Sequence, residues 1–173
     1  LELKQLIQEN KTELDSLTAL RKFIHSNRTS FNDYKKLFEE FRTEINIIFQ
    51  FNTNTYDVII ATGNIDLFDT QSIQMIMELK KSQDRALKRL GNLSRIYQNQ
   101  ITQTTQNFPI FSTYEMSADA EELIWQPVDL KKLPLITDGI TGLKHYNLRK
   151  FISLNEEILL KTEALLQHLN SQN

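Results

Sequence analysis

The segment that decides the fold is TYDVIIATGNIDLFD, residues 55–69. Residues 55–62 are long enough for two helical turns. Gly63 follows at the position where a helix commonly ends on a residue in the left-handed conformation. Glycine suits that position because it has no Cβ to clash with the backbone. The segment therefore predicts a short helix over 55–62 that stops at Gly63.

The second half of this segment predicts the start of another helix. Asp69 can cap it, and Phe68 and Ile73 stand at the two positions of a hydrophobic staple. Between the glycine stop and this cap, the spacing predicts an extended apolar crossover through Ile65 and Leu67.

Amphipathic periods extend outward from this segment in both directions. Apolar residues recur at steps of three and four over residues 1–26, with an interruption at Asn10. The same period predicts further long helices over 31–50, 70–107 and 143–170. Four long helices predict an all-α fold, an elongated four-helix bundle-like domain.

Residues 108–142 break this pattern and predict a long irregular connection before the last helix. All three prolines, two of the four glycines and the only tryptophan fall here. Connections of this length are commonly functional or partly disordered. At 173 residues, the chain is expected to form a single helical domain over 1–173.

The composition excludes several classes of site. The chain has no cysteine, which rules out disulfides, thiolate nucleophiles and cysteine-based zinc sites. Its net charge is -2, and Lys and Arg lie beside acids along the helices, as on solvated faces. We therefore expect no nucleic-acid partner.

No catalytic, cofactor-binding or metal site is predicted, so the chain is expected not to be an enzyme. The three histidines lie far apart in the sequence, and neither HExxH nor the Glu-x-x-His pairs of di-metal bundles occur. Neighbouring glutamates point about 100° apart on a helix and make no dyad. The segment TDGITG, residues 137–142, could bind an anion at a helix entrance, but such a glycine pair is usually a turn.

One group of side chains could form a binding surface in or beside the irregular connection. An aromatic cluster there either fixes the connection to the bundle or lines a pocket or partner surface. A site assembled from His145 and acids of the connection stays open as a third reading. The candidate residues are Phe108, Phe111, Tyr114, Trp125, His145 and Tyr146.

The segment around Gly63 also carries a resemblance to a known family. It fits the pattern T-Y-x(5)-[ST]-G-N-[LI]-x-L, and its motif residues are Thr55, Tyr56, Gly63, Asn64 and Asp69. This resembles a bacterial domain-of-unknown-function family of small single-pass membrane-anchored proteins. The chain departs from that family in the apolar run 58–60, where an acid is usual, and at Gln74, where an arginine is common.

The resemblance implies a location in the cell but no activity. It implies a membrane helix upstream, with this helical domain on the periplasmic side of the inner membrane. Leu1 already lies inside a helical pattern, so we expect a fragment of a longer protein. Our first hypothesis is a non-enzymatic cell-envelope domain that binds a protein partner or supports assembly, with a homo-oligomer possible. The alternative is an extracytoplasmic ligand-binding sensor domain of a membrane receptor.

Overall fold

The computed structural model describes residues 2–26, 51, 54–107 and 132–172. The described residues form helices and no strand, which confirms the all-α, bundle-like class. The helix predicted over 31–50 lies outside them. The elements are α1 (Glu2–Ile24), α2 (Asn54–Ala61), a 3-10 turn (Asn64–Leu67), α3 (Thr70–Asn107) and α4 (Leu133–Ser171).

By its internal contacts the chain divides into two compact units. The first unit comprises Leu1–Asn10, Asn46–Asn92 and Lys150–Asn173, and the second comprises Lys11–Ile45 and Leu93–Arg149. Each of α1, α3 and α4 contributes one segment to each unit. The single domain over 1–173 stays a prediction.

Both units bury apolar side chains at helical spacing, together with polar ones. In the first unit the buried apolar residues are Ile7, Phe51, Ala86, Leu90, Phe151, Ile152, Leu154 and Ile158. In the second they are Leu17, Leu20, Ile24, Tyr97, Ile140 and Leu148. Asn10, which interrupts the predicted stripe of α1, is itself only 2% exposed, so the stripe faces inward without a gap.

The glycine stop after α2 is confirmed. Gly63 has φ +71°, the left-handed conformation. Thr62 donates its backbone N–H to the Val58 carbonyl at 3.0 Å, and Gly63 donates to Ile60 at 3.2 Å. These bonds use carbonyls that the last helical turn would otherwise leave unpaired.

The extended crossover predicted through Ile65 and Leu67 is wrong. Residues Asn64–Leu67 form the 3-10 turn, and the backbone N–H of Phe68 donates to the Ile65 carbonyl at 3.1 Å. An extended segment with no neighbouring strand leaves its backbone groups to solvent, whereas a 3-10 turn pairs some of them locally.

The predicted cap of α3 is confirmed, and so are the bounds of that helix. Asp69 Oδ1 accepts the backbone N–H groups of Gln71 at 2.8 Å and Ser72 at 2.9 Å. The Ser72 hydroxyl donates to Asp69 Oδ2 at 2.5 Å. One carboxylate therefore satisfies two of the donors that a helix start leaves free.

The predicted start of the last helix at residue 143 is wrong, because α4 begins at Leu133. Pro134 sits in the first turn, where its missing N–H removes no helical bond. Burial of Thr137, Ile140 and Thr141 then offsets the cost of two helical glycines. Residues 137–142 consequently lie inside α4 and form no helix entrance, and residues 108–131 lie outside the described part of the chain.

Candidate functional site

Four of the six predicted surface residues, Phe108, Phe111, Tyr114 and Trp125, lie outside the described residues. The other two, His145 and Tyr146, lie on α4 in the second unit. Tyr146 is exposed, and His145 is half-buried. Burial, together with the positive charges of Arg21 and Arg149, lowers the pKa of His145. The imidazole therefore stays neutral at a lower pH than an exposed histidine.

A polar cluster occupies the interior of the second unit. Lys144 is only 1% exposed, and its Nζ donates to Glu13 Oε1 at 2.6 Å. Asn147 donates from Nδ2 to the Leu93 carbonyl at 3.3 Å, while its Oδ1 has no hydrogen-bond partner among the described residues. A lysine that acts as a base or nucleophile needs a free amine, whereas this one directs a proton at a carboxylate. The contact is that of a structural ion pair.

Asp138 contacts two basic side chains of the same unit, Arg21 and His25. Its Oδ1 accepts from Arg21 Nε at 3.0 Å and lies 3.1 Å from His25 Nε2. Burial opposes ionisation of this carboxyl. The hydrogen bond and charge of Arg21, assisted by His25, outweigh burial and hold the pKa of Asp138 below its usual value. An ionised, twice-paired carboxylate is poorly suited to accept a proton.

A cleft of about 510 Å³ lies between α3 and α4 within the second unit. Its volume falls in the range of small-molecule sites. None of its described lining residues is charged. The α3 side contributes Gln100, Gln103 and Thr104, and the α4 side contributes Leu135, Ile136, Gly139, Ile140 and Leu143.

The sequence prediction missed this cleft. Because the sequence predicted an irregular connection up to residue 142, it did not place the apolar side chains of residues 133–142 on one face of a helix. The signal was nonetheless present, since Ile136, Ile140 and Leu143 follow Pro134 at steps of four and three. That spacing after a proline is typical of a helix start.

The first unit carries a charged network around Ser82. The Ser82 hydroxyl donates to Glu157 Oε1 at 3.2 Å and accepts from Lys161 Nζ at 2.7 Å. Arg85 also pairs with Glu157. A Ser–Lys contact occurs in some hydrolases. Here, however, Lys161 Nζ lies 3.5 Å from Glu157 Oε1, and the Ser82 hydroxyl donates its hydrogen bond to that glutamate. The hydroxyl therefore bridges an ion pair.

The same network fixes the charge of Glu157. Burial opposes its ionisation, but the charge of Arg85, the Ser82 hydrogen bond and the charge of Lys161 outweigh that effect and lower its pKa. A carboxylate that three partners hold in the charged form is suited to stabilising the contact between two helices, and poorly suited to transferring protons.

Two motif residues have roles that fix the first unit. Besides capping α3, Asp69 accepts from Gln172 at the end of α4, and His168 Nε2 lies 3.5 Å from its Oδ2. Hydrogen bonds from the Ser72 hydroxyl, Gln172 and the Ser72 N–H hold the pKa of Asp69 well below its usual range. Tyr56 lies under Lys80, whose Nζ is 5.9 Å from the ring centroid.

The side chains of the other two polar motif residues, Thr55 and Asn64, lie outside the described part of the structure. No structural role is therefore assigned to either of them. Gly63 and Asp69 account for the part of the motif that sets the backbone.

Apolar side chains are exposed beside this motif. Val58 and Ile60 on α2 are 58% and 46% exposed, and Leu67 in the 3-10 turn is 81% exposed. Burying one aliphatic side chain of this size is worth about 1.5–3 kcal/mol. All three residues lie within ten positions of the sequence, and exposed apolar side chains that form a patch mark interaction sites.

The described residues contain neither a membrane-spanning helix nor a group of metal ligands. No helix within them is both long and apolar enough to cross a membrane. In the same residues, no three His, Asp or Glu side chains are grouped to hold a metal ion.

Comparison with protein-family models, with curated proteins and with solved structures found no match to this chain. The family resemblance around Gly63 therefore stays a prediction. The exposure, contacts and charges of this chain's own side chains are the remaining indications of its function.

Proposed function

We propose that this chain is a non-enzymatic helical domain that binds another protein. The proposal places it in the bacterial cell envelope, on the periplasmic side of the inner membrane, anchored by a segment outside this sequence. The address is taken from the resemblance around Gly63. The binding role is taken from the exposed apolar residues of α2 and the 3-10 turn.

The observation that carries the proposal is the exposure of Val58, Ile60 and Leu67. These residues lie where the backbone is tightly specified by the Gly63 stop and by the Asp69 cap. Binding at such a surface requires little ordering of the chain, which lowers the entropic cost of association. An apolar side chain on a rigid turn is a suitable anchor for a partner's pocket.

Three ionisable groups of the described residues support a non-enzymatic role. Lys144, Asp138 and Glu157 each form an ion pair inside one unit. A general acid or base needs a pKa near the working pH and access to substrate. The pKa values of Asp138 and Glu157 are shifted away from neutrality.

Site-specific photocrosslinking in cells tests the proposal. A photoreactive amino acid replaces Leu67 in one variant and the exposed Glu78 in a control variant. We expect a discrete adduct of higher mass from position 67 and none from position 78. No adduct at position 67, or the same adducts at both positions, would contradict the proposal.

A ligand-binding sensor domain is a second candidate, favoured by the cleft between Thr104 and Ile140. Its described lining residues are uncharged, which suits a neutral ligand. Gly139 lines the cleft, and a Cβ added there meets no atom within 4 Å, so Gly139→Ala narrows the cleft without a clash. A ligand found by thermal-shift screening should bind this variant more weakly, and Gly91→Ala, a helical glycine outside the cleft, should leave binding unchanged.

A further inference from the structure

Basic residues concentrate on one short part of α3 in the first unit. Residues 80–89 contain five of the chain's twenty Lys and Arg side chains and only one acid, Asp84. That acid is already paired, since Lys80 Nζ lies 2.9 Å from Asp84 Oδ1. The expectation that cations lie beside acids throughout the chain therefore does not hold for this segment.

Most of these cations point to solvent. Lys81, Arg85, Lys88 and Arg89 are all exposed. Arg85 pairs with Glu157, whereas no ion pair among the described residues uses Lys81, Lys88 or Arg89. We call these three side chains the basic face of α3. Exposed cations close together repel one another, a cost that an acidic partner would remove.

The position of the basic face on the helix is fixed on both sides. On one side, Lys80 lies over Tyr56 of α2. On the other, Ser82 contacts Glu157 of α4. Since successive residues differ by about 100° around a helix, Lys81 and Lys88 point between these two contacts. The buried side of the helix carries Ala86 and Leu90.

We propose that the basic face of α3 docks an acidic helical segment of the protein partner, so this inference rests on the proposed function. Lys81 and Lys88 are two helical turns apart, about 10 Å along the axis. Carboxylates seven residues apart on a partner helix match that spacing, and glutamates at every third or fourth position include such pairs.

Two other anionic partners fit less well. A bilayer-binding helix inserts an apolar side, and here that side is the buried one with Ala86 and Leu90. A nucleic-acid surface usually needs a longer basic stripe on a basic domain, and this chain has a net charge of -2.

The probe is a labelled 21-residue alanine-based helical peptide with glutamates at every third or fourth position, measured by fluorescence anisotropy. The triple variant K81E/K88E/R89E reverses the basic face and spares Arg85. The control K22E/R95E/R149E reverses three other exposed cations and changes the net charge equally. Circular dichroism confirms that both variants keep the helical content of the parent chain.

We expect saturable binding of the peptide that weakens about tenfold or more in K81E/K88E/R89E and less than about threefold in the control. Binding should also weaken as salt rises from about 50 mM to 500 mM, because exposed charges are screened. Equal losses in both variants, or no binding by the parent chain, would overturn the inference. So would tighter binding of duplex DNA or phosphatidylglycerol vesicles through the same three cations.

This inference can fail while the proposed function stands. If position 67 cross-links a partner that K81E/K88E/R89E still captures at parental affinity, the basic face is not a docking site but the chain still binds protein. If position 67 gives no adduct, the proposed function fails as well.

Discussion

Replacing Gly63 by alanine should destabilise the chain by about 1 kcal/mol. The φ of +71° lies in the left-handed region. A side chain with a Cβ costs about 1–2 kcal/mol there. Replacing glycine by alanine also lowers the conformational entropy of the unfolded chain, which offsets about 0.4–1 kcal/mol of that cost. An added Cβ would meet no atom within 4 Å, so no clash adds to the balance.

The matched control is Gly91→Ala in α3. An added Cβ there also has no neighbour within 4 Å, but the backbone is helical. Alanine should therefore stabilise this position by about 0.8–1 kcal/mol. Two identical substitutions in one chain should thus shift stability in opposite directions, with a difference of about 2 kcal/mol between them.

Urea denaturation followed by circular dichroism measures both changes, and thermal melts should show a shift of about 2–4 °C per kcal/mol for a chain of this size. Gly63→Asn should fall between the parent and Gly63→Ala, since asparagine tolerates the left-handed region. If Gly63→Ala is as stable as the parent while Gly91→Ala gains stability, the conformation assigned to Gly63 is wrong.

Three further predictions concern buried and capping groups. Folding lowers the pKa of Asp69, so its stabilising effect is present above the unfolded pKa, near pH 4, and is lost as pH falls through the folded pKa. The melting temperature of Asp69→Asn should therefore depend less steeply on pH below about 4 than that of the parent chain. An unchanged dependence would contradict this. Lys144→Ala removes a buried side chain and its ion pair with Glu13, whereas Lys144→Met loses the ion pair but keeps the volume. The free energy of unfolding should therefore be about 2 kcal/mol lower in Lys144→Ala than in Lys144→Met. Equal urea midpoints for the two variants would refute that. Asn155 is buried, and its Oδ1 has no hydrogen-bond partner in the described part of the chain. Asn155→Leu should therefore stabilise the chain by about 1 kcal/mol in the same assay, and a loss of stability would reveal a partner for that oxygen.

Local signals in the sequence predicted the fold well where one physical effect dominates. Gly63 is such a case, because few residues other than glycine adopt positive φ cheaply. Asp69 is another, because an aspartate directly before an amphipathic helical pattern is well placed to accept the free N–H groups of the first turn. The bounds of α3 followed from its long period together with this cap.

Prediction failed where two effects compete. Pro134, Gly139 and Gly142 each disfavour a helix interior, so the sequence around them reads as irregular. Burial of Ile140 and its neighbours outweighs the glycine cost, and Pro134 falls in the one turn that tolerates it. Burial depends on contacts distant in the sequence, which a local pattern does not contain.

The candidate surfaces were harder to predict than the fold. Exposure of Leu67 and Val58 is a property of the folded chain, since both look like core residues in the sequence. The basic face of α3 is hidden when charge is averaged along the chain. On the helix Asp84 neighbours both Lys81 and Lys88, but its carboxylate is paired with Lys80.

The most direct test of the account is a titration of the purified chain with the partner that cross-links at position 67. Isothermal calorimetry should give saturable binding without turnover of either protein. Leu67→Ser should weaken it about tenfold or more, since burying a leucine is worth about 1.5–3 kcal/mol. Absence of saturable binding, parental affinity in Leu67→Ser, or chemical conversion of the partner would contradict a non-enzymatic binding domain.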